Sequence, residues 1–167
     1  MKKLCNIDIA KQPGRMVNGE TPARFDSEPL EVNVVFTEPE TTAAALTAAE
    51  SFARGLGACI RVRAAIVVPL RLPLEQSPVS VCFMEDRLRE LVGQPEPDAS
   101  EITVHLYVCR DWIETLLKVL KPNALVVIGS RNHWWPTAAS RMAGTLRARG
   151  HRIAVVDVRG QAVRSLR

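Results

Sequence analysis

Residues 123–131 read Asn-Ala-Leu-Val-Val-Ile-Gly-Ser-Arg, and the part that decides the fold is Ala124-Leu125-Val126-Val127-Ile128-Gly129-Ser130. Five apolar residues run unbroken into Gly-Ser. So short a run, rich in β-branched residues, suits a strand buried on both faces, the mark of a parallel sheet. A buried helix segment is the alternative, and the length and β-branching favour the strand. Gly129-Ser130 then falls where a strand hands over to a loop and a helix. Ligands of open α/β sheets bind at the carboxyl ends of strands, so any site is expected here.

Outward from this stretch, Ala138–Arg149 reads as a helix stopped by Gly150, and Ile153-Ala154-Val155-Val156-Asp157-Val158 as a further strand. Strand, loop, helix and strand make one βαβ unit with a right-handed crossover. Upstream, Glu31–Thr37 reads as the first strand, and Glu38-Pro39 breaks it. Thr41 or Thr42 caps an alanine-rich helix with Leu46, Ala49, Phe52, Ala53 and Leu56 at helical spacing, ended by Gly57. Cys59–Leu70 is the second strand. A Pro-bearing loop follows, with Ser77-Pro78 as N-cap and first position of the helix Pro78–Val92. Glu101–Val108 is the third strand. Asp111-Trp112-Ile113-Glu114 fits a capping box for a helix running to Leu120. The order βαβαβαβαβ predicts a three-layer α/β sandwich, a five-stranded mainly parallel sheet with helices on both faces.

Residues 1–30 hold Pro13-Gly14, Asn18-Gly19, Pro22 and Pro29 and read as an irregular N-terminal extension. The domain is expected over 31–159, with a basic tail at 160–167. At 167 residues the chain can bury a real core. Its longest apolar runs, such as Ala64–Leu70, are far shorter than a membrane span, and the N-terminus lacks a secretory signal, so a cytoplasmic protein is expected. Cys5, Cys59, Cys82 and Cys109 lie far apart with no Cys-x-x-Cys, so neither a disulfide framework nor a metal site is indicated. The formal charge is +4, unevenly spread. From Arg131 onward eight arginines face one acid, Asp157, which leaves residues 1–130 net negative. With no aromatic-interleaved motif beside it, this basic end reads as a solvated face and tail rather than a nucleic-acid or anion site.

No catalytic constellation is evident, and motifs for acyl transfer, dinucleotide binding and P-loop chemistry are absent. His105 reads as a structural strand residue and Asp111 as a cap. Over residues 31–158 the chain resembles the universal stress protein family. The resemblance rests on the apolar first strand with its alanine-rich helix, on Cys109-Arg110-Asp111 leading to Asn123–Arg131, and on the closing strand at 153–158. It implies the same five-stranded α/β sheet. In nucleotide-binding members a glycine-rich loop follows the fourth strand, letting the backbone approach phosphates at a helix N-terminus. Carried over residue by residue, the resemblance places the site at Thr37, Gly129, Ser130, Asn132 and Ser140. The pattern is degraded. Thr37 stands where such members have an aspartate, and Asn132 stands where they have a second glycine. His133-Trp134-Trp135-Pro136 replaces small residues, and Ala139-Ser140 arrives early. Trp134 and Trp135 read either as a lid over a planar ligand or as aromatics filling the emptied pocket or a subunit contact.

The expectation is a non-catalytic universal-stress-type protein without a cofactor, binding nucleotide weakly or not at all and acting through protein contacts in a stress response. The alternative is a divergent ATP- or AMP-binding member. The strand at Arg152–Val158 has no predicted neighbour beyond it, and an open apolar edge invites pairing. A homodimer through this strand, with Val155 near the axis, is expected.

Overall fold

The computed structural model describes residues 7–11, 30–93, 100–131, 138–158 and 160–165. In chain order the elements are β1 (Ile7–Lys11), β2 (Glu31–Val35), α1 (Pro39–Leu56), β3 (Cys59–Val67), α2 (Val81–Val92), β4 (Ile102–Cys109), α3 (Trp112–Val119), β5 (Leu125–Ser130), α4 (Ala138–Ala148), β6 (Arg152–Asp157) and β7 (Gly160–Ser165). One sheet holds the strands in the order β1-β4-β3-β2-β5-β6-β7. The five predicted strands are its centre and pair in parallel.

The two outer strands come from segments read as irregular. β1, inside the supposed N-terminal extension, pairs in parallel with β4 through Ile7↔Val104 to Lys11↔Val108. β7, inside the supposed basic tail, pairs antiparallel with β6, with Val156 opposite Val163. This corrects the expectation of an open edge at Arg152–Val158. β6 is hydrogen-bonded to β5 on one side and to β7 on the other.

Alternate residues of the strands feed two cores. Val32, Val34, Ile60, Val62, Val104, Leu106 and Val127 pack with Ala45, Leu46 and Ala49 of α1 and Leu88 of α2. On the opposite face Val35, Val126, Ile128 and Ile153 pack with Leu116 of α3 and with Met142, Ala143 and Leu146 of α4. β5 is therefore apolar on both sides, as the unbroken run at 124–128 required. From β2 the chain steps one way to β3 and β4 with its helices on one face. It then returns past β2 to β5 and β6 with its helices on the other, as crossovers of a single hand demand.

Local chemistry sets the helix ends. Asp111 caps α3 by accepting the Glu114 N–H at 2.9 Å, the predicted capping residue. Replacing Asp111 with alanine leaves that donor without its partner and should cost about 1 kcal/mol. A lowered denaturant midpoint would register it, whereas an unchanged one would mean water serves the donor equally well. Gly57 takes the left-handed conformation, φ 61°, that closes α1. Two starts differ from expectation. α1 begins at Pro39 with Glu38 as N-cap, so the proline is the first helical residue rather than a breaker, and Thr41 and Thr42 are buried in the first turn. α2 begins at Val81 after Ser80. Ser77 bonds only two residues ahead, its Oγ donating to the Val79 carbonyl at 2.7 Å, so it makes a local turn instead of the cap.

Candidate functional site

The strand order reverses between β2 and β5, which lie side by side although their starts, at 31 and 125, are 94 positions apart in the chain. This is the crevice where open α/β sheets hold ligands. A cleft of about 430 Å³ opens there. The end of β2 supplies Phe36, Thr37 and Glu38, and the end of β5 supplies Gly129, Ser130 and Arg131. Thr41 of α1, Trp112 of α3 and Ala138, Ala139 and Met142 of α4 complete the lining.

Of the predicted site residues, Thr37, Gly129 and Ser130 meet in this cleft. Ser140 lies on the exposed surface of α4, outside that lining, where Ala139 stands instead. Asn132, Trp134 and Trp135 lie outside the described residues, as does Pro136.

The floor of the cleft is a closed set of hydroxyl bonds. The Thr37 and Thr41 hydroxyl oxygens are 2.8 Å apart, and the Thr37 hydroxyl also reaches the Gly129 carbonyl at 3.4 Å. Thr41 Oγ1 accepts the Glu38 N–H at 3.2 Å and donates to the Glu38 carbonyl at 3.0 Å. Thr42 Oγ1 accepts the Thr37 N–H at 3.1 Å and donates to the same carbonyl at 2.6 Å. A hydroxyl has one proton to give, so these side chains are largely spent on each other and on the first turn of α1.

Gly129 has a packing reason of its own. A Cβ built on it would fall on the backbone carbonyl of Thr41. Only glycine lets α1 press this closely onto β5.

The mouth of the cleft carries charge. Arg131 Nε stands 3.1 Å from a Glu38 carboxylate oxygen, and its Nη2 stands 2.8 Å from one of Glu40. All three side chains are about half exposed or more, so each pair is worth under about 1 kcal/mol. Both glutamates sit at the start of α1, where the helix dipole favours anions. The positive end of that helix therefore already faces two carboxylates.

Residues outside the cleft serve the frame. Arg63 is buried, with Nε donating to Asn33 Oδ1 and Nη1 to the Tyr107 hydroxyl, each at 2.7 Å. His105 lies 3.2 Å from Arg61 Nη1 and stacks on Tyr107, which supports the structural reading. Burial pushes the Cys109 thiol above its ordinary pKa; the Thr115 hydroxyl pulls the other way and the Asp111 charge adds to the rise. That thiol stays protonated and a poor nucleophile near neutral pH. Among the described residues no cluster of histidine, cysteine or acid could hold a metal ion, and no helix is long and apolar enough to cross a membrane.

Sequence reasoning found the crevice but missed its walls and its charges. Phe36, Trp112 and Met142 come from three separate elements, and Arg131 meets Glu38 and Glu40 across more than ninety residues. No protein-family profile matches the chain. No curated protein matches it either. Among solved structures it is similar to a universal stress protein in complex with cAMP, with 16% identity and a TM-score of 0.45 over 79% of this chain and 99% of that one.

Proposed function

We propose that this chain is a non-catalytic universal-stress-type protein that binds nucleotide weakly or not at all and acts through protein contacts. The family reading rests on the sequence resemblance over 31–158. One observation carries the nucleotide reading. Among the described residues the one cation lining the cleft is Arg131, shared by Glu38 and Glu40 at the start of α1. A phosphate entering there must displace both carboxylates and then lie beside them unpaired. Thr37 supplies no charge of its own, and its hydroxyl is already engaged.

Thermal unfolding with and without ATP tests this. A ligand at a hundredfold excess over its dissociation constant adds about 2.7 kcal/mol, which a protein of this size registers as a rise of several degrees. With ATP at millimolar concentration the melting temperature should rise by less than about one degree, since binding this weak leaves little linkage free energy. A rise of several degrees would instead favour the divergent ATP-binding reading, for which Gly129 and Ser130 at the crevice are the supporting residues.

A further inference from the structure

We infer that the sheet face carrying Asn33, Arg63 and Tyr107 is a binding site for a monoanionic carboxylate ligand. None of these residues lines the cleft between β2 and β5, so the inference does not depend on how nucleotide fares there.

α3 and α4 pack on this face against β2, β5 and β6, through Val35, Val126, Ile128 and Ile153. Among the described residues none of β3 or β4 joins that core. Arg63 lies beside Val35 in register on one side and beside His105 on the other, while Arg61 lies beside Asn33 and Ala65 beside Tyr107. Residues in parallel register share a face, so beyond β2 the apolar core gives way to polar side chains.

Arg63 and Tyr107 are both more than nine-tenths buried, with 5% and 6% exposure. Arg63 Nε donates to Asn33 Oδ1 and its Nη1 to the Tyr107 hydroxyl, each at 2.7 Å. Both acceptors are neutral. A guanidinium is always charged and has five N–H donors, so three donors and a whole positive charge are left over among the described residues. The neighbouring groups do not balance it. Glu31, on the same face, pairs with Arg61 Nε at 2.9 Å and with Lys121 Nζ at 3.0 Å. His105 Nε2 lies 3.2 Å from Arg61 Nη1 and must accept, since a guanidinium only donates, so the ring is neutral. A buried charge without an opposite one is costly, which makes Arg63 a strong attractor for an anion.

Tyr107 adds a second donor. Its hydroxyl accepts from Arg63 and still has its own proton to give, with no described acceptor for it. The ring is held between His105 and Trp112, with centroids 6.3 Å and 5.9 Å away. Because Arg63 Nη1 and the hydroxyl are bonded, the spare donors lie side by side. A carboxylate matches them: its two oxygens fit a planar fork of donors, and its one charge balances one guanidinium. Phosphate carries close to two charges at neutral pH and would bury an unbalanced one.

Acetate is the probe. In about 0.1 M sodium acetate the full chain should melt about 2 °C or more above its value in sodium chloride of equal concentration, as linkage requires of a site with a millimolar dissociation constant. Asn33→Asp places a carboxylate on Arg63 Nε and balances the charge from within, so in that variant the acetate increment should disappear. The Arg63 Nε–H resonance of the native chain gives a second readout that needs no variant. It should shift saturably with acetate and stay in place with chloride. Equal melting temperatures in the two salts with an unmoved resonance would overturn the inference, and would mean that the chain supplies its own counter-charge. An increment that persists in a folded Asn33→Asp variant would overturn the assignment to Arg63; if the variant does not fold, the resonance decides. A larger increment from phosphate than from acetate would overturn the choice of a monoanion.

Discussion

Replacing Gly129 with alanine should cost the protein about 3 kcal/mol or more, at the upper end of what overpacking does. The new methyl group would fall on the main-chain carbonyl of Thr41, which cannot rotate aside like a side-chain tip. Relief requires the first turn of α1 to lift from β5. That lift would break the Thr37–Thr41 contact and loosen Ala45 and Ala49 from the sheet. Urea unfolding should show a midpoint far below that of the native chain, or no folded baseline at all. Gly144→Ala is the internal control. It lies inside α4 with open space around its Cα, so alanine there should stabilise by about 0.5–1 kcal/mol. A Gly129 variant as stable as native would mean that α1 does not approach β5 as closely as described.

Truncating Leu88 to alanine should cost about 2–5 kcal/mol, the range for a fully buried leucine. Leu88 is the one residue of α2 that is buried, with no accessible surface, and it sits in the core shared with α1 and β4. Met84, Leu91 and Val92 pack around it only in part. The helix thus docks through a single deep anchor, and its loss leaves a cavity that partly exposed neighbours fill poorly. Denaturant unfolding measures the loss, and amide exchange along Val81–Val92 should quicken more than elsewhere. A cost below about 1 kcal/mol would show that the site collapses without a cavity and that Met84 or Leu91 shares the anchoring.

The central sheet was legible because its strands are buried on both faces. An unbroken apolar run such as Leu125–Ile128 has few other readings once Gly129-Ser130 and a following helix are seen. Asp111 and Gly57 were legible for a different reason: a cap needs only its own neighbours. β1 and β7 were not legible. Each lies at a sheet edge, where backbone pairing with one neighbour suffices and little apolar patterning is demanded. Ile7–Lys11 is short and followed by Pro13-Gly14, and Gly160–Ser165 carries an arginine among arginines, so composition spoke for loops. The open edge assigned to β6 followed from missing β7. Arg63 alternates with apolar residues in β3, as a solvent-facing residue would, yet it is buried because Asn33 and Tyr107 from the neighbouring strands receive its guanidinium.

The site was legible in place and obscure in character. Strand order alone puts a crevice beyond Gly129. What fills its rim depends on Arg131 reaching Glu38 and Glu40, a pairing that local spacing cannot reveal. Glycine at 129 also fits two explanations from sequence, phosphate access or helix packing. The Thr41 carbonyl directly behind it accounts for the glycine by packing.

Equilibrium titration of the folded chain with ATP at physiological salt tests the central claim most directly. Arg131 held between two glutamates predicts a dissociation constant in the millimolar range or weaker, which is about 4 kcal/mol of binding free energy or less. Saturable binding in the low micromolar range, about 7–8 kcal/mol, would contradict it.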